Sequence, residues 1–469
     1  MFKYLIFFYL LHVNYTLDKL LEYLLLNIIT FCYLEIVKWS QVKILKISII
    51  IPTRERSYYL HYALQTALEI DDKNIEIIVS DNCSKDGTKA VVEEFSDNRL
   101  KYFRTSKRIS MRENFNTAVL KSTGDYIIFF GDDDGILPGQ FKFLRRILEE
   151  HRPDGISWLK SSYIWPKDEF GNEFGGSKAG KIRFYGTRTF GIPYAYNPRD
   201  KFLNNLMECN LATFTSTAPN IYHGCVSRAF LENNSSEEKI FFDSTIPDVN
   251  FRFRAIILGG NFIHIDHPFS INGDSAVSNG RAHHGYSSAN IRSKPADEFH
   301  QENENDPYLN IFGNHKFTPL LMMATLETLR SKIINFDKVP NMINWYSYVY
   351  KQASIFSHDE TFNIVKKSLH DYAIETDTLE ELSIAIDKPK TQNKKTLKEI
   401  LGRIKTIISS FSMSVKKNGK NNILTAVNIY DEILGNSYEY VLDNKRINKK
   451  EWYYAKLKAK NISKIFLFR

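Results

Sequence analysis

From Lys46 to Leu148 the chain alternates apolar runs of strand length with stretches of helical periodicity. The runs "KISIIIP" (46–52), "IEIIVSD" (75–81) and "GDYIIFF" (124–130) are continuously apolar rather than alternating, which predicts strands covered on both faces. Between and after them, "RSYYLHYALQTALEI", "GTKAVVEEFSD", "SMRENFNTAVLKS" and "GQFKFLRRILEEH" predict helices, and "LKYFRT" a short strand. Buried strands that alternate with helices imply an α/β domain with a mainly parallel sheet flanked by helices. From 152 to 300 the helical signal weakens and Gly, Pro, Tyr and Ser accumulate, as in "FGNEFGGSKAGKIRFYG", predicting loops and short strands. Beyond the acidic, Asn-rich stretch 296–307 the pattern turns helical again. The expected organisation is therefore an N-terminal extension at 1–45, an α/β domain at 46–300 with halves at 46–150 and 151–300, and a helical C-terminal region at 301–469.

The first 45 residues admit two readings. "MFKYLIFFYLLHVNY" has the apolar core of a signal peptide but no small-x-small cleavage site after it, and the charge-free run Tyr23–Leu34 falls short of the roughly 20 residues a spanning helix needs. An amphipathic, interfacial helix and a loosely packed extension both fit.

With 469 residues, 43% of them hydrophobic, the chain can bury more than one core, which excludes a disordered or fibrous protein. Its formal charge of +8 is unevenly placed. From residue 394 onward 17 Lys and Arg face 6 Asp and Glu, leaving residues 1–393 at net −3. The basic tail, from "NKKTLKEILGRIKTIISS" to "KAKNISKIFLFR", mixes its charges with Ile, Leu and Phe, which suits an anionic membrane surface or a solvated helical face. No nucleic-acid-binding motif accompanies it, so nucleic acid is not an expected partner. Cys32, Cys83, Cys209 and Cys225 match neither a zinc site nor a CxxC pair, and point to a reducing compartment.

In open parallel sheets ligands bind beyond the carboxyl ends of the strands. That rule selects Pro52 and Thr53, Asp81, and the run Asp132, Asp133 and Asp134 in "FFGDDDGILPG". A dinucleotide-binding or P-loop site would need glycine directly after the first strand, whereas the first glycine of this chain is Gly87. Three adjacent carboxylates at a strand end offer another way to hold phosphates, through Mg²⁺ or Mn²⁺, which one or two carboxylates plus substrate oxygens suffice to bind. A solvated acidic turn, or a helix cap by Asp132 or Asp133, is the alternative.

The ordered set "ISIIIPTRER", "IEIIVSDNCSKDGT" and "STGDYIIFFGDDDGILPG" resembles the nucleotide-sugar-binding half of family 2 glycosyltransferases of the GT-A fold, over roughly residues 46–150. The resemblance implies an inverting transfer from a nucleoside diphosphate sugar, commonly a UDP sugar, to a glycan or lipid-linked glycan in cell-surface polysaccharide synthesis. The enzyme would be cytoplasmic or peripheral at the cytoplasmic membrane. It further implies that Asp81 contacts the base or ribose, that Thr53 and Arg56 form the entry turn beside the base, and that Asn114 faces the nucleotide; an Asx-type turn with Ser84 and Asp86 is the alternative for Asp81, and surface or capping roles are the alternative for Arg56 and Asn114. The metal, Mn²⁺ or Mg²⁺, would sit on two of Asp132, Asp133 and Asp134, although the family's first aspartate is here Gly131. The family's acidic motif before the last helix of the catalytic domain is matched by "STIPDVNFRFRAIILGG", which makes Asp248 the implied general base and Asp243 its nearest competitor; a helix-capping role is the alternative for both. His264 and His267, three apart on a predicted strand, are expected on opposite faces, and His283 and His284 in a loop. Two rival readings stay open: a sugar nucleotidyltransferase, and a catalytically inactive scaffold of an envelope-polysaccharide complex.

Overall fold

The three continuous apolar runs form strands because both of their faces are covered. In the computed structural model, which describes residues 44–463 except 186–188, 215, 237, 279–292, 305, 307–310, 313–316, 357–359, 388–400, 402–409 and 447–448, β1 (Ile47–Thr53) pairs in parallel with β2 (Ile75–Asp81) on one side and β4 (Tyr126–Phe129) on the other. Ile49 is in register with Ile77 and with Ile128, and all three are fully or almost fully buried. β3 (Leu100–Arg104) adds a parallel edge to β2. The crossovers are α1 (Ser57–Leu68), α2 (Thr88–Glu93) and α3 (Met111–Lys121); Ser110 caps α3 by accepting the Glu113 N–H.

Beyond β4 the sheet becomes mixed. After β5 (Gly135–Ile136) and α4 (Pro138–His151) come β6 (Gly155–Trp158), β7 (Ser161–Ile164), β8 (Lys181–Tyr185) and β9 (Tyr194–Tyr196). β10 (Gly224–Ser227) lies antiparallel between β4 and β6, and β11 (Phe262–Ile265) runs parallel to β6. The full order is β3-β2-β1-β4-β10-β6-β11-β9. A second sheet has the order β13-β8-β7-β12-β5, where β12 is Ser270–Asp274 and β13 is Ser410–Ser414. The parallel 3-2-1-4 half is the helix-flanked α/β sheet that the sequence pattern implies, and with the antiparallel strand that follows it is GT-A-like, as the resemblance implies.

The rest is mainly helical: α5 (Pro198–Met207), α6 (Arg228–Asn233), α7 (Pro247–Leu258), α8 (Ser293–Asn303), α9 (Thr318–Lys332), α10 (Met342–Ala353), α11 (Glu360–Glu375) and α12 (Leu379–Asp387), then α13 (Ile423–Leu434), α14 (Ser437–Asn444) and α15 (Lys449–Ser463). Helices α5, α7 and α9–α12 share one apolar core around Trp345, Tyr346 and Phe253. The described residues from Lys46 onward pack as one unit. The acidic stretch at 296–307 is tied into it, since Glu298 and Glu302 pair with Arg54, and Asp306 with Arg112. The expected interfacial or loose segment at 1–43, His283 and His284, and much of the basic tail lie outside the described residues. Among the described residues no helix is long and apolar enough to cross a membrane.

Candidate active site

A cavity of about 910 Å³ opens at the carboxyl ends of β1 and β4. Pro52, Thr53, Arg56, Asn114, Asp132, Asp133, Asp134 and Asp248 all line it, whereas Asp81 and Asp243 do not. Asp81 is buried but spent inside the chain: its carboxylate accepts the Ser84 N–H at 2.9 Å and the Tyr102 hydroxyl at 2.6 Å, with Arg104 Nε 3.6 Å away. Its neighbour Asn82 lines the cavity instead. Asn114 is anchored on β2, accepting from Ser80 Oγ at 2.8 Å and donating to the Ser80 carbonyl at 3.2 Å.

The three aspartates have different surroundings. Asp132 accepts from Thr53 Oγ1 at 2.7 Å through Oδ2 and from Arg56 Nη1 at 3.0 Å through Oδ1, which ties β4 to the exit of β1. Although burial opposes a charge on Arg56, the Asp132 and Asp133 carboxylates hold its guanidinium firmly protonated. Asp134 is locked into the loop frame by the Gly131 N–H at 2.8 Å, the Gly273 N–H at 2.7 Å and His223 Nε2 at 3.3 Å. Burial would raise its pKa, but His223 and these amides lower it below the ordinary aspartate value. Asp133 takes the Ser275 hydroxyl at 2.6 Å and the Ser278 hydroxyl on Oδ2, while Oδ1 has no hydrogen-bond partner among the described residues. Burial, and after it the charge of Asp134, pushes the Asp133 carboxyl up to about 7. Gly131 stands where the family has an aspartate because the loop folds back over it: a Cβ there would lie 2.9 Å from Asp134 Oδ2 and 3.0 Å from Asp133 Oδ1.

Asp248 approaches the cavity from the first turn of α7 and has no hydrogen-bond partner among the described residues. Its competitor Asp243 is held by Arg254 at 2.6 Å, by Asn250 at 2.8 Å and by Lys332 at 3.4 Å, and does not line the cavity. His264 and His267 have separate partners. His264 Nδ1 meets Ser157 Oγ at 2.9 Å, while His267 Nε2 meets Gln140 Oε1 at 3.1 Å.

Several wall residues escape a sequence reading. His223 sits in left-handed backbone (φ 50) just before β10; its Nδ1 lies 2.8 Å from Ser270 Oγ, which in turn accepts from Trp158 Nε1 at 2.8 Å. Nothing in "NIYHG" signals this. Arg252 was findable, since it lies four residues after Asp248 on a predicted helix and thus on the same face. Arg252 and Lys160 both line the cavity, and crowding by protein lowers the pKa of each despite nearby carboxylates; Lys160 remains water-accessible, so its crowding is that of a recess wall. Arg54, also lining, is paired with Glu302 at 2.6 Å. Among the described residues no three His, Cys, Asp or Glu side chains converge as a ready-made metal site. The carboxylates of Asp132, Asp133 and Asp134 that line the cavity carry oxygens of the hard type that Mg²⁺ or Mn²⁺ prefers.

A parallel half-sheet with a carboxylate cluster at its strand ends defines a GT-A type of domain. Residues 48–197 match the profile described as "Glycosyl transferase family 2". Over 108 residues it is 35% identical to the GalNAc(5)-diNAcBac-PP-undecaprenol beta-1,3-glucosyltransferase of Campylobacter jejuni, covering 22% of this chain and 35% of that one. It is 33% identical over 108 residues to abequosyltransferase RfbV of Salmonella typhimurium (22% and 32% covered), and 31% identical over 88 residues to the UDP-Glc:alpha-D-GlcNAc-diphosphoundecaprenol beta-1,3-glucosyltransferase WfgD of Escherichia coli (19% and 35% covered). The matched segment spans about a third of the length of these relatives.

Proposed function

We propose that the chain is an inverting glycosyltransferase that moves a sugar from a nucleoside diphosphate sugar, most simply a UDP sugar, to a hydroxyl of a glycan or lipid-linked glycan in cell-surface polysaccharide synthesis. The observation that carries this reading is that Asp248, with no hydrogen-bond partner among the described residues, lines the same cavity as Asp132 and Asp133. Inversion requires a base and a leaving diphosphate on opposite faces of the transferred sugar, and this arrangement supplies one group for each. The names of the relatives, which include a UDP-glucose donor and diphosphoundecaprenol-linked acceptors, support the same classes of substrate.

Asp248 takes the proton of the acceptor hydroxyl as that oxygen attacks the anomeric carbon. Mn²⁺ or Mg²⁺ on Asp132 and Asp133, when bound, offsets charge on the diphosphate. Arg252 and Lys160 add fixed positive charge to the same wall, and Asp134, bonded to the Gly131 and Gly273 amides, holds the loop in shape. Pro52, Thr53 and Arg56 shape the wall toward the base; Asn82 and Asn114 extend it, and the bonds of Asp81 assign it to the turn beneath. A peripheral membrane contact is supported by α15, which exposes Tyr453, Tyr454 and Leu457 among Lys450, Lys456, Lys458 and Lys460.

The test is a screen of uridine, guanosine and thymidine diphosphate sugars for Mn²⁺-dependent release of nucleoside diphosphate. Asp248→Asn is expected to lower kcat by about 10²–10⁴-fold, the range of general-base catalysis, while donor affinity by calorimetry stays within about threefold. Release of pyrophosphate from a nucleoside triphosphate would instead identify a nucleotidyltransferase. Binding of donors without turnover, with every acceptor tried, would identify a scaffold.

A further inference from the structure

The loop that carries the three aspartates leaves through β5 and enters α4 at Pro138. The first N–H groups of a helix need acceptors from elsewhere, and Leu137 at the N-cap offers no side-chain one. A carboxylate from 292 residues further on fills the gap. Asp431 Oδ2 accepts the Gly139 N–H at 2.8 Å, and Oδ1 accepts Gln140 Nε2 at 3.1 Å. Gln140 Nε2 also donates to the Gly435 carbonyl at 3.1 Å.

Asp431 belongs to α13, where Ile423, Val427 and Asp431 recur every four residues and so form one stripe. Ile423 and Val427, both fully buried, press on Gly135, the first residue after the aspartates. A Cβ at position 135 would come within 2.6 Å of Val427 Cγ2 and 2.9 Å of Ile423 Cγ1. The stripe therefore touches the loop at its exit and at the start of the next helix. Its own seat is firm. Asn422 and Thr425 form a reciprocal cap on α13, and Tyr438 of α14 stacks on His267 with ring centroids 3.8 Å apart. Asp431 is half-buried, and desolvation pushes its carboxyl up to about 6 against the bonds from Gly139 and Gln140.

We propose that Asp431, with Val427 and Ile423, is a positioning element for the aspartate loop, setting where Asp132 and Asp133 stand in the cavity and making the C-terminal region a working part of the site. The kinetic part of this inference rests on the glycosyltransferase reading.

In the full-length protein, Asp431→Ala is expected to lower kcat at least tenfold with the acceptor KM within threefold. Asp431→Asn, which can still accept from the Gly139 N–H, recovers part of that loss. Gly135→Ala is expected to lower kcat similarly, and adding Val427→Ala, which removes the clashing methyl, restores part of it. Amide hydrogen exchange, followed by mass spectrometry, reads the loop without any need for activity. Asp431→Ala should speed exchange in peptides covering 131–140 at least tenfold while β1 keeps wild-type protection. Unchanged exchange at 131–140, a rise spread over the whole sheet, or a Gly135→Ala defect that Val427→Ala deepens would overturn the proposal. If the wild type transfers no sugar from any donor, the glycosyltransferase reading falls while exchange still decides the positioning role.

Discussion

The parallel half-sheet buries carboxylates at both of its edges and treats them in opposite ways. At the amino edge Glu76, only 1% exposed, accepts from Lys101 Nζ at 2.6 Å, Lys46 Nζ at 3.0 Å, Ser48 Oγ at 2.7 Å and the Thr123 N–H. Burial alone would raise its pKa, yet these partners hold it far below the ordinary glutamate value. At the carboxyl edge Asp133 is also buried, receives two hydroxyls, and is pushed up to about 7. The difference separates a carboxylate ringed by cations from one crowded by the neighbouring carboxylates Asp134 and Asp132. Acidity alone marks neither, and both sit at strand ends, so the supply of local cations is the distinguishing feature.

Breaking each edge should therefore have a different signature. The largest effect is expected from Asp133→Ala, which should cut Mn²⁺-dependent transfer by more than about a hundredfold, since a metal's electrostatic contribution is several kcal/mol, and should leave the urea midpoint near that of wild type. Next, Glu76→Ala should cost about 2 kcal/mol in urea unfolding, the scale of charged hydrogen bonds lost where Lys46 and Lys101 are more than a third exposed and can rehydrate, while the donor KM holds. An equal loss of activity in both variants would erase the contrast. The smallest effect is in acid. A carboxyl held below its unfolded value stabilises the fold at pH above that value, so as pH drops below the ordinary 4.5 the wild type should lose stability that Glu76→Gln does not have to lose. The stability gap between the two, followed by thermal melts from pH 7 to pH 3, is expected to narrow on the acid side.

What the sequence shows of this molecule follows from what is local. β1, β2 and β4 are legible because strands buried on both faces must be continuous apolar runs, and Asp132–Asp134 because they close such a run. Asp248 needed the family resemblance, since an acid in a helix's first turn is equally a capping residue. Asp81 satisfied the same strand-end rule as Asp133, yet Ser84 and Tyr102 already occupy its oxygens; the turn with Ser84 is open to a sequence reading, whereas the partner on the next strand leaves no trace in a pattern of apolar positions. His223 and Asp431 are illegible for a stronger reason: their meaning lies in contacts with Asp134 and Gly139 across 89 and 292 residues of chain.

The insertion of β10 between β4 and β6 carries a consequence for how such proteins are divided. The segment that identifies the family ends at residue 197, yet the strand that joins its two halves begins at Gly224, and the amide that seats Asp134 is that of Gly273. Cut at the family boundary, the chain would retain the aspartates while exposing the facing edges of β4 and β6, two open ladders ready to pair with other copies. The stretch that matches the profile is shorter than the unit that folds, and solubility would be the first property to fail in the shorter piece.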